Sequence, residues 1–278
     1  MKVLLCPNAL RDTELAVTKQ VEALFKDYKA NTVICPLTEG DEAELDAISV
    51  EAKDADMTVA FGGDGTILKT ARAVAESEVP IIAVNLGDMG FMAEIEPAEI
   101  DSIRHVLDGE YRIVRRIMLD VSMVRNGEKV FEEFALNYIV IKGINKIITL
   151  ELFGDDNPIS SFTGDGAVIA TPTGSTAYSM SAGGPIVEPD ASNIIITPVC
   201  PHVLAAKSFV LAPERVVTVV MGGRKVNPAV LTVDGKEITP FEEGDSLIIR
   251  VSERAARFIQ LSDRSFYKKV YEKLGERK

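Results

Sequence analysis

Basic residues are scarce in this 278-residue chain: 30 Lys and Arg stand against 42 Asp and Glu, a formal net charge of −12. Nucleic acids and anionic membranes bind proteins through phosphate neutralisation, so neither is expected as a partner. An anionic ligand would have to rely on a local cation cluster, a helix N-terminus or a metal ion. Histidine is nearly absent, with only His105 and His202, which comes close to excluding a histidine metal cage or a Ser-His-Asp triad. The three cysteines, Cys6, Cys35 and Cys200, show neither metal-ligand spacing nor a secreted disulfide pattern. Cys6 and Cys35 each end an apolar run, where a small buried thiol is expected. No apolar run reaches membrane-spanning length, and the N-terminal stretch reads as a first strand too short for a signal peptide. A cytoplasmic protein is expected. Internal repeats and low-complexity linkers are also missing.

What is present is a well-packed chain. Apolar residues make up 46%, enough for a substantial core in one large domain or two ordinary ones. The first part alternates strands and helices: strands at Val3 to Leu5, Thr32 to Cys35, Met57 to Phe61 and 80–85, with helices over about Thr13 to Tyr28, from Asp41, over Ile67 to Ala75 and over Pro97 to Leu107. That alternation implies a Rossmann-like parallel sheet covered by helices, with ligands bound beyond the carboxyl ends of the strands. The texture changes near residue 109. Arg115 to Arg125 and Phe131 to Ile141 flank Asn126-Gly127, a strong hairpin signal. Further strands are expected at Ile147 to Leu152, Ala167 to Ala170, Ile194 to Ile196, Phe209 to Leu211, Val216 to Met221, Ala229 to Val233 and Ser246 to Val251, with Asp234-Gly235 as another turn. The expected organisation is an α/β domain over 1–109 and a β-rich, sandwich-like domain over 110–254. A C-terminal helical segment within about 255–278 (Phe266, Val270, Tyr271, Leu274) is expected to pack back on the first domain.

Two stretches carry chemistry. In the first, a buried strand ending at Phe61 runs into Gly62, Gly63, Asp64, Gly65 and Thr66. The glycines let the backbone turn sharply and approach a ligand. Thr66 could cap the next helix, whose free N–H groups would face phosphate. Asp64 is the odd member, since a phosphate cradle has no use for an anion unless the anion does chemistry. Read alone, the turn has about even odds of being an ordinary strand-to-helix connection, and Lys69 and Arg72 would be a solvated face. The second stretch, Thr163 to Pro185, brackets a strand with glycine and small polar residues. Thr171 to Tyr178 offers five hydroxyls, suited to a polar nucleoside, with Tyr178 as a flat face for a base. Asp165 could accept from ribose hydroxyls or an exocyclic amine. Taken alone, this would be a surface loop. Their co-occurrence points to a ligand cleft between domains.

These residues, together with Asn85-Leu86-Gly87, Gly90-Phe91, Asn137 and Ser181-Ala182-Gly183-Gly184-Pro185, resemble the NAD kinases from Val59 through Gly235. The glycine turn is shared with lipid kinases and phosphofructokinases; the Asp165 to Pro185 stretch is the more specific part. The resemblance implies transfer of a phosphoryl group from ATP, or from polyphosphate, with Mg²⁺, to the 2′-hydroxyl of the adenosine ribose of NAD. It implies an α/β domain followed by a β domain, small-molecule nucleotide partners, and a homodimer or homotetramer. Asp64 would be the general base. Gly62, Gly63, Gly65, Thr66 and Lys69 would serve the phosphate donor. Asp64, Gly65, Asn137, Tyr138, Asp165, Thr176, Ala177, Tyr178 and Ser181 would contact the dinucleotide. No residue is assigned as a protein metal ligand.

The sequence departs from the family pattern at three positions. Tyr138 stands where an acidic ribose contact is usual, Asp88 where a neutral or basic residue is usual, and Lys236 where glutamine is frequent. A phenol does not replace a carboxylate. A kinase with an altered acceptor, NADH or a smaller nucleoside, is therefore a second reading. A non-catalytic nucleotide sensor is a third, opposed by the intact Asp64 turn. A lipid kinase is a weaker fourth, since no apolar or basic segment suits a membrane.

Overall fold

The computed structural model describes residues 1–38, 41–87, 90–203, 206–223, 227–261 and 266–275. Asp88 lies outside them. The chain divides into two compact units, Met1–Arg115 with Arg254–Lys278, and Arg116–Glu253.

The first unit is built on four parallel strands: β1 (Lys2–Pro7), β2 (Asn31–Ile34), β3 (Met57–Gly62) and β4 (Ile81–Asn85), in spatial order β2-β1-β3-β4. β3 and β4 are buried along their whole length, as continuous apolar runs in a helix-covered sheet must be. Between the strands lie helices α1 (Ala16–Asp27), α2 (Glu42–Ala52) and α3 (Asp64–Ala73), followed by α4 (Ile103–Leu107). Two expected helices begin as 3-10 turns, at Thr13–Leu15 and Pro97–Ser102. The buried Asp12 carboxylate fixes the start of α1, accepting from the amides of Val17 and Thr18, both at 2.9 Å. The core joins Val3, Leu5, Val59, Phe61, Ile82 and Val84 to Val21, Phe25, Ile103 and Val106 from α1 and α4. The order is decisive for function. Because β2 and β3 lie on opposite sides of β1, the chain reverses direction of winding between β1 and β3. The loops leaving those two strands therefore flank the crevice where such sheets bind ligands.

The second unit holds β5 (Arg112–Arg125) for most of its length, β6 (Glu128–Ala135), β7 (Tyr138–Gly143), β8 (Ile148–Gly154), β9 (Asn157–Gly164), β10 (Gly166–Ala170), the short α5 (Tyr178–Ser181), β11 (Ile194–Val199), β12 (Phe209–Leu211), β13 (Val217–Gly222), β14 (Ala229–Val233), β15 (Lys236–Phe241) and the start of β16 (Ser246–Gln260). One sheet has the antiparallel path β16-β13-β8-β9 with the β5-β6 hairpin; the other runs β12-β11-β10-β7-β14-β15. Their inner faces share one core, to which β7 sends Ile139 and Ile141, β10 sends Ala167 and Ile169, and β8 sends Ile148, Leu150 and Leu152. The alternate residues Val140, Val168, Ala170 and Ile195 form a second cluster on the outer face, under Tyr138, Tyr178, Ala182 and Val187. β10 is thus covered on both faces, which is why it is apolar throughout.

The expected single strand from Phe131 to Ile141 is instead two strands, β6 and β7, in different sheets. The break at Leu136 and Asn137 is imposed from far along the chain. The Asp234 carboxylate accepts from the amides of Leu136, Asn137 and Tyr138 at 2.8, 2.9 and 2.9 Å. After its start in the second unit, β16 continues into the first and pairs with β4 there, Phe258 opposite Ile81. Helix α6 (Phe266–Leu274) follows.

Candidate active site

β3 ends at the buried Gly62, Gly63 stands in extended conformation as the N-cap, and α3 begins at Asp64. The helix therefore starts three residues before the expected Ile67, and Thr66 is not its cap. Thr66 is buried in the first turn and takes a 3.0 Å hydrogen bond from Asn8 Nδ2 on its hydroxyl. The amides of Thr66 and Ile67 turn back to the Gly63 carbonyl, at 2.9 and 3.1 Å. A first helical turn leaves its leading amides without intrahelical partners; here those are the amides of Asp64 and Gly65.

The carboxylate of Asp64 is gripped by backbone. Oδ2 accepts from the Phe91 amide at 2.9 Å and Oδ1 from the Met92 amide at 3.1 Å. Gly90 makes the fit possible, because a Cβ there would stand 2.6 Å from Asp64 Oδ1. Asn85, at the end of β4, ties the same loop: its Oδ1 accepts from Gly87 N at 3.0 Å and its Nδ2 donates to Glu96 at 3.0 and 3.2 Å.

An open pocket of about 540 Å³ lies over this turn, lined by Asn8, Arg11, Gly63, Asp64, Gly65, Thr66, Lys69 and Gly87. Four of the five residues assigned to the phosphate donor, Gly63, Gly65, Thr66 and Lys69, meet here with Asp64, and Gly62 lies beneath. Asn8 and Arg11 were not singled out by sequence. They leave β1, next to β3 at the winding reversal, and Asn8 Oδ1 accepts from the amides of Leu10 and Arg11 at 3.0 and 3.2 Å. Arg11 Nη1 donates to the Leu86 carbonyl at 3.1 Å. The signal that could have found them is the strand-end position of Asn8, once β1 is placed beside β3. Among the described residues the pocket thus offers two cationic side chains, helix-start amides and one carboxylate. It can hold a polyphosphate and take up a proton.

In the second unit, Asn137 and Tyr138 start β7 on the Asp234 carboxylate. The Thr171 hydroxyl donates to the Leu136 carbonyl at 2.5 Å and accepts from Gly174 N at 3.0 Å. Gly174 passes so close to Asn137 that a Cβ would lie 1.9 Å from its carbonyl oxygen. Ser175 Oγ is within 3.1 Å of both N and O of Val187. Of the five hydroxyls in this stretch, those of Thr171 and Ser175 are therefore occupied in holding the loop to its surroundings. Two buried polar atoms have no partner, Asn137 Oδ1 and Thr173 Oγ1. Buried polar atoms rarely stay unsatisfied, so these two have acceptor and donor capacity left over. Tyr138 and Tyr178 meet edge to face beside it, centroids 6.1 Å apart at 68°. Burial, then the charge of Asp234 and the Tyr178 phenol, pushes the Tyr138 phenol above its ordinary pKa. As a neutral phenol it can both donate and accept a hydrogen bond.

Thr176, Ala177 and Tyr178 lie in this corner, half-buried, and Ser181 is exposed at the end of α5. Asp165 is not with them. In the register of β10 against β7, Gly166 faces Lys142 and Ala170 faces Tyr138. Asp165 thus sits at the opposite end of β10, roughly 17 Å away at strand rise. Among the described residues no group of three or more His, Cys, Asp or Glu is arranged to hold a metal ion, and no helix is long and apolar enough to cross a membrane.

The family models for the ATP-NAD kinase N-terminal domain and the ATP-NAD kinase C-terminal domain match residues 9–111 and 137–261. The NAD kinase of Acetivibrio thermocellus is 34% identical over 100% of this chain and 98% of its own. Among solved structures, yeast NADH kinase complexed with NADH superposes with a TM-score of 0.86 at 22% identity, covering 100% of this chain and 88% of that one. An NAD kinase from Archaeoglobus fulgidus in complex with ATP superposes at 0.74 and 24% identity, covering 99% and 98%. At such identities the two structures speak for the fold alone. The two domain models and the full-length curated relative carry the assignment: the chain belongs to the NAD kinase family.

Proposed function

We propose that this chain transfers the γ-phosphoryl group of ATP to the 2′-hydroxyl of the adenosine ribose of NAD, with Asp64 as the base. One observation carries the reading: among the described residues of the pocket one carboxylate, Asp64, is fixed by the Phe91 and Met92 amides and stands beside helix-start amides, a hydroxyl and two cationic side chains. In the transfer the ribose hydroxyl proton passes to Asp64, the ribose oxygen bonds to the γ-phosphorus, and the bond to the β-phosphate oxygen breaks to release ADP. Phosphoryl transfer asks mainly for in-line positioning and charge neutralisation. Arg11, Lys69 and the α3 amides supply both on the donor side. Mg²⁺, brought in with ATP as the metal–nucleotide substrate, would supply further neutralisation of phosphate charge, and one carboxylate among the described pocket residues suits a metal held mainly by phosphates and water. Asn137 Oδ1 and Thr173 Oγ1 would find their missing partners in the dinucleotide, and Tyr178 would pack on a ring. Asp165 and Ser181 are kept as dinucleotide contacts on the resemblance only. The same resemblance supports a homodimer or homotetramer, and the sequence expectation of a cytoplasmic protein is kept with it.

Tyr138 supports a second reading of the acceptor. Its phenol, half-buried and kept protonated, can donate where a carboxylate only accepts, which would favour a different acceptor, such as NADH or a smaller nucleoside. The test is incubation with NAD or NADH and either Mg-ATP or polyphosphate, read by formation of the 2′-phosphorylated product. Asp64→Asn should still fold and bind the dinucleotide, with a lowered melting temperature because its amide nitrogen cannot accept from the Phe91 or Met92 N–H, while turnover falls at least about a hundredfold. Undiminished turnover in that variant would sink the proposal, and a clear preference for NAD removes the second reading.

A further inference from the structure

Helix α6 follows the strand that re-enters the first unit, and its inward face is unusual. At 3.6 residues per turn, Phe266, Lys269, Val270 and Lys273 share one face, and these four are the half-buried residues of the helix. Tyr271 and Leu274, expected on the packed face, are exposed instead, at 79% and 44%. A helix that only packs turns its apolar side inward; this one turns two ammonium groups inward. Lys269 Nζ donates to the Ala93 carbonyl at 3.0 Å and lies 3.4 Å from the nearly buried Glu94 carboxylate. Lys273 Nζ donates to the Gly90 carbonyl and lies 5.8 Å from the centroid of the Phe91 ring.

The Gly90 carbonyl and the Phe91 amide are the two ends of one peptide group. That amide is the donor to Asp64 Oδ2 at 2.9 Å. The order of groups is therefore ammonium, carbonyl, N–H, carboxylate. A cation on the carbonyl oxygen draws electron density from the peptide and makes its N–H a stronger donor, the cooperative effect of linked hydrogen bonds at low dielectric. The same contact fixes the plane of the peptide and so the direction of the N–H.

We infer that Lys273 is a positioning residue for Asp64, acting through the Gly90–Phe91 peptide, so that the C-terminal helix completes the active site of the first unit. The inference rests on Asp64 being the base. Lys273→Met keeps the aliphatic stem and removes the charge. In the full-length chain, with NAD and Mg-ATP, it should lower kcat about tenfold and leave both KM values within about twofold, because the ground-state contacts are untouched. Lys273→Arg should recover at least about half of the lost rate. Exchange of the Phe91 amide hydrogen should quicken about fivefold in Lys273→Met and return towards the parent rate in Lys273→Arg. A kcat within about twofold of the parent, a loss confined to KM, or unchanged Phe91 exchange each overturns the inference. If Lys273→Met does not fold, Lys273→Gln, which can still donate but carries no charge, is held to the same criteria. Asp64→Asn measured alongside separates the two ideas. If it stays active, the base assignment fails. If it is dead while Lys273→Met is unimpaired, only the role of Lys273 fails.

Discussion

The turn after β3 and the stretch around α5 are both rich in glycine and small polar residues, yet they use them in opposite ways. In the first unit the motif residues stay available for chemistry, and the rest of the unit holds them. Asp64 is gripped by amides 27 and 28 residues away, and Thr66 is tied by Asn8 across 58 residues. In the second unit much of the motif is spent on packing against its neighbours. Thr171 and Ser175 bond to carbonyls and amides of the same fold, and Gly174 exists to let two backbones touch. What remains for a ligand there is narrower than the hydroxyl count suggests: Asn137 Oδ1, Thr173 Oγ1 and the tyrosine pair. The difference teaches that a small-residue motif does not by itself separate a binding loop from a packing loop. The sorting comes from which polar atoms already have partners.

Two glycine substitutions would break or confirm that contrast, and the larger effect belongs to the second unit. At Gly174 the obstacle to a Cβ is backbone, the Asn137 carbonyl oxygen at 1.9 Å, which cannot swing aside. Gly174→Ala should therefore cost about 3 kcal/mol or more of stability, read as a fall in denaturation midpoint, with catalysis lost only as the fold is lost. At Gly90 the obstacle is a side chain, Asp64 Oδ1 at 2.6 Å. Gly90→Ala should fold with a nearly unchanged melting temperature and lose about ten- to a hundredfold in kcat, because the carboxylate is pushed from its place. If Gly90→Ala proved as unstable as Gly174→Ala, or Gly174→Ala lost kcat without losing stability, the contrast would be wrong.

How much of this was legible in the sequence follows the same division. Met57 to Phe61 announces itself as a buried parallel strand because both faces must be apolar, and the glycines after it mark a turn at its carboxyl end. The partners of Asp64 do not announce themselves. Phe91 and Met92 act through their amides, which leave no mark on residue type. Arg11 is an ordinary surface arginine until β1 is placed beside β3. Lys273 acquires a role only when α6 docks at Gly90. In the second unit, Phe131 to Ile141 reads as one strand because its alternation is unbroken; the Asp234 carboxylate, 96 to 98 residues away, divides it. β9 and β15 escaped notice because they are sheet edges, where polar residues and Pro240 are tolerated. Asp165 was legible as part of a motif, but the register of β10 sets it a strand's length from the tyrosines.

The smallest expected effects sharpen the contrast inside the second stretch, between two hydroxyls two residues apart. Ser175 Oγ sits 3.1 Å from the amide and the carbonyl of Val187, whereas Thr173 Oγ1 is buried without a partner. Ser175→Ala removes both bonds and strands two half-buried backbone groups, which should cost about 1 kcal/mol of stability while the KM for the dinucleotide stays near the parent value. Thr173→Val removes a hydroxyl that costs free energy in the unliganded protein and preserves the shape of the side chain. Its stability should hold or rise slightly, and the KM for the dinucleotide should increase about threefold, the expected loss for one ligand hydrogen bond of modest strength. Chemical denaturation and steady-state kinetics on the two variants read this directly. A Thr173→Val enzyme that is destabilised with its KM unchanged would make that hydroxyl one more packing group, and would leave Asn137 Oδ1 to carry the contrast in this corner.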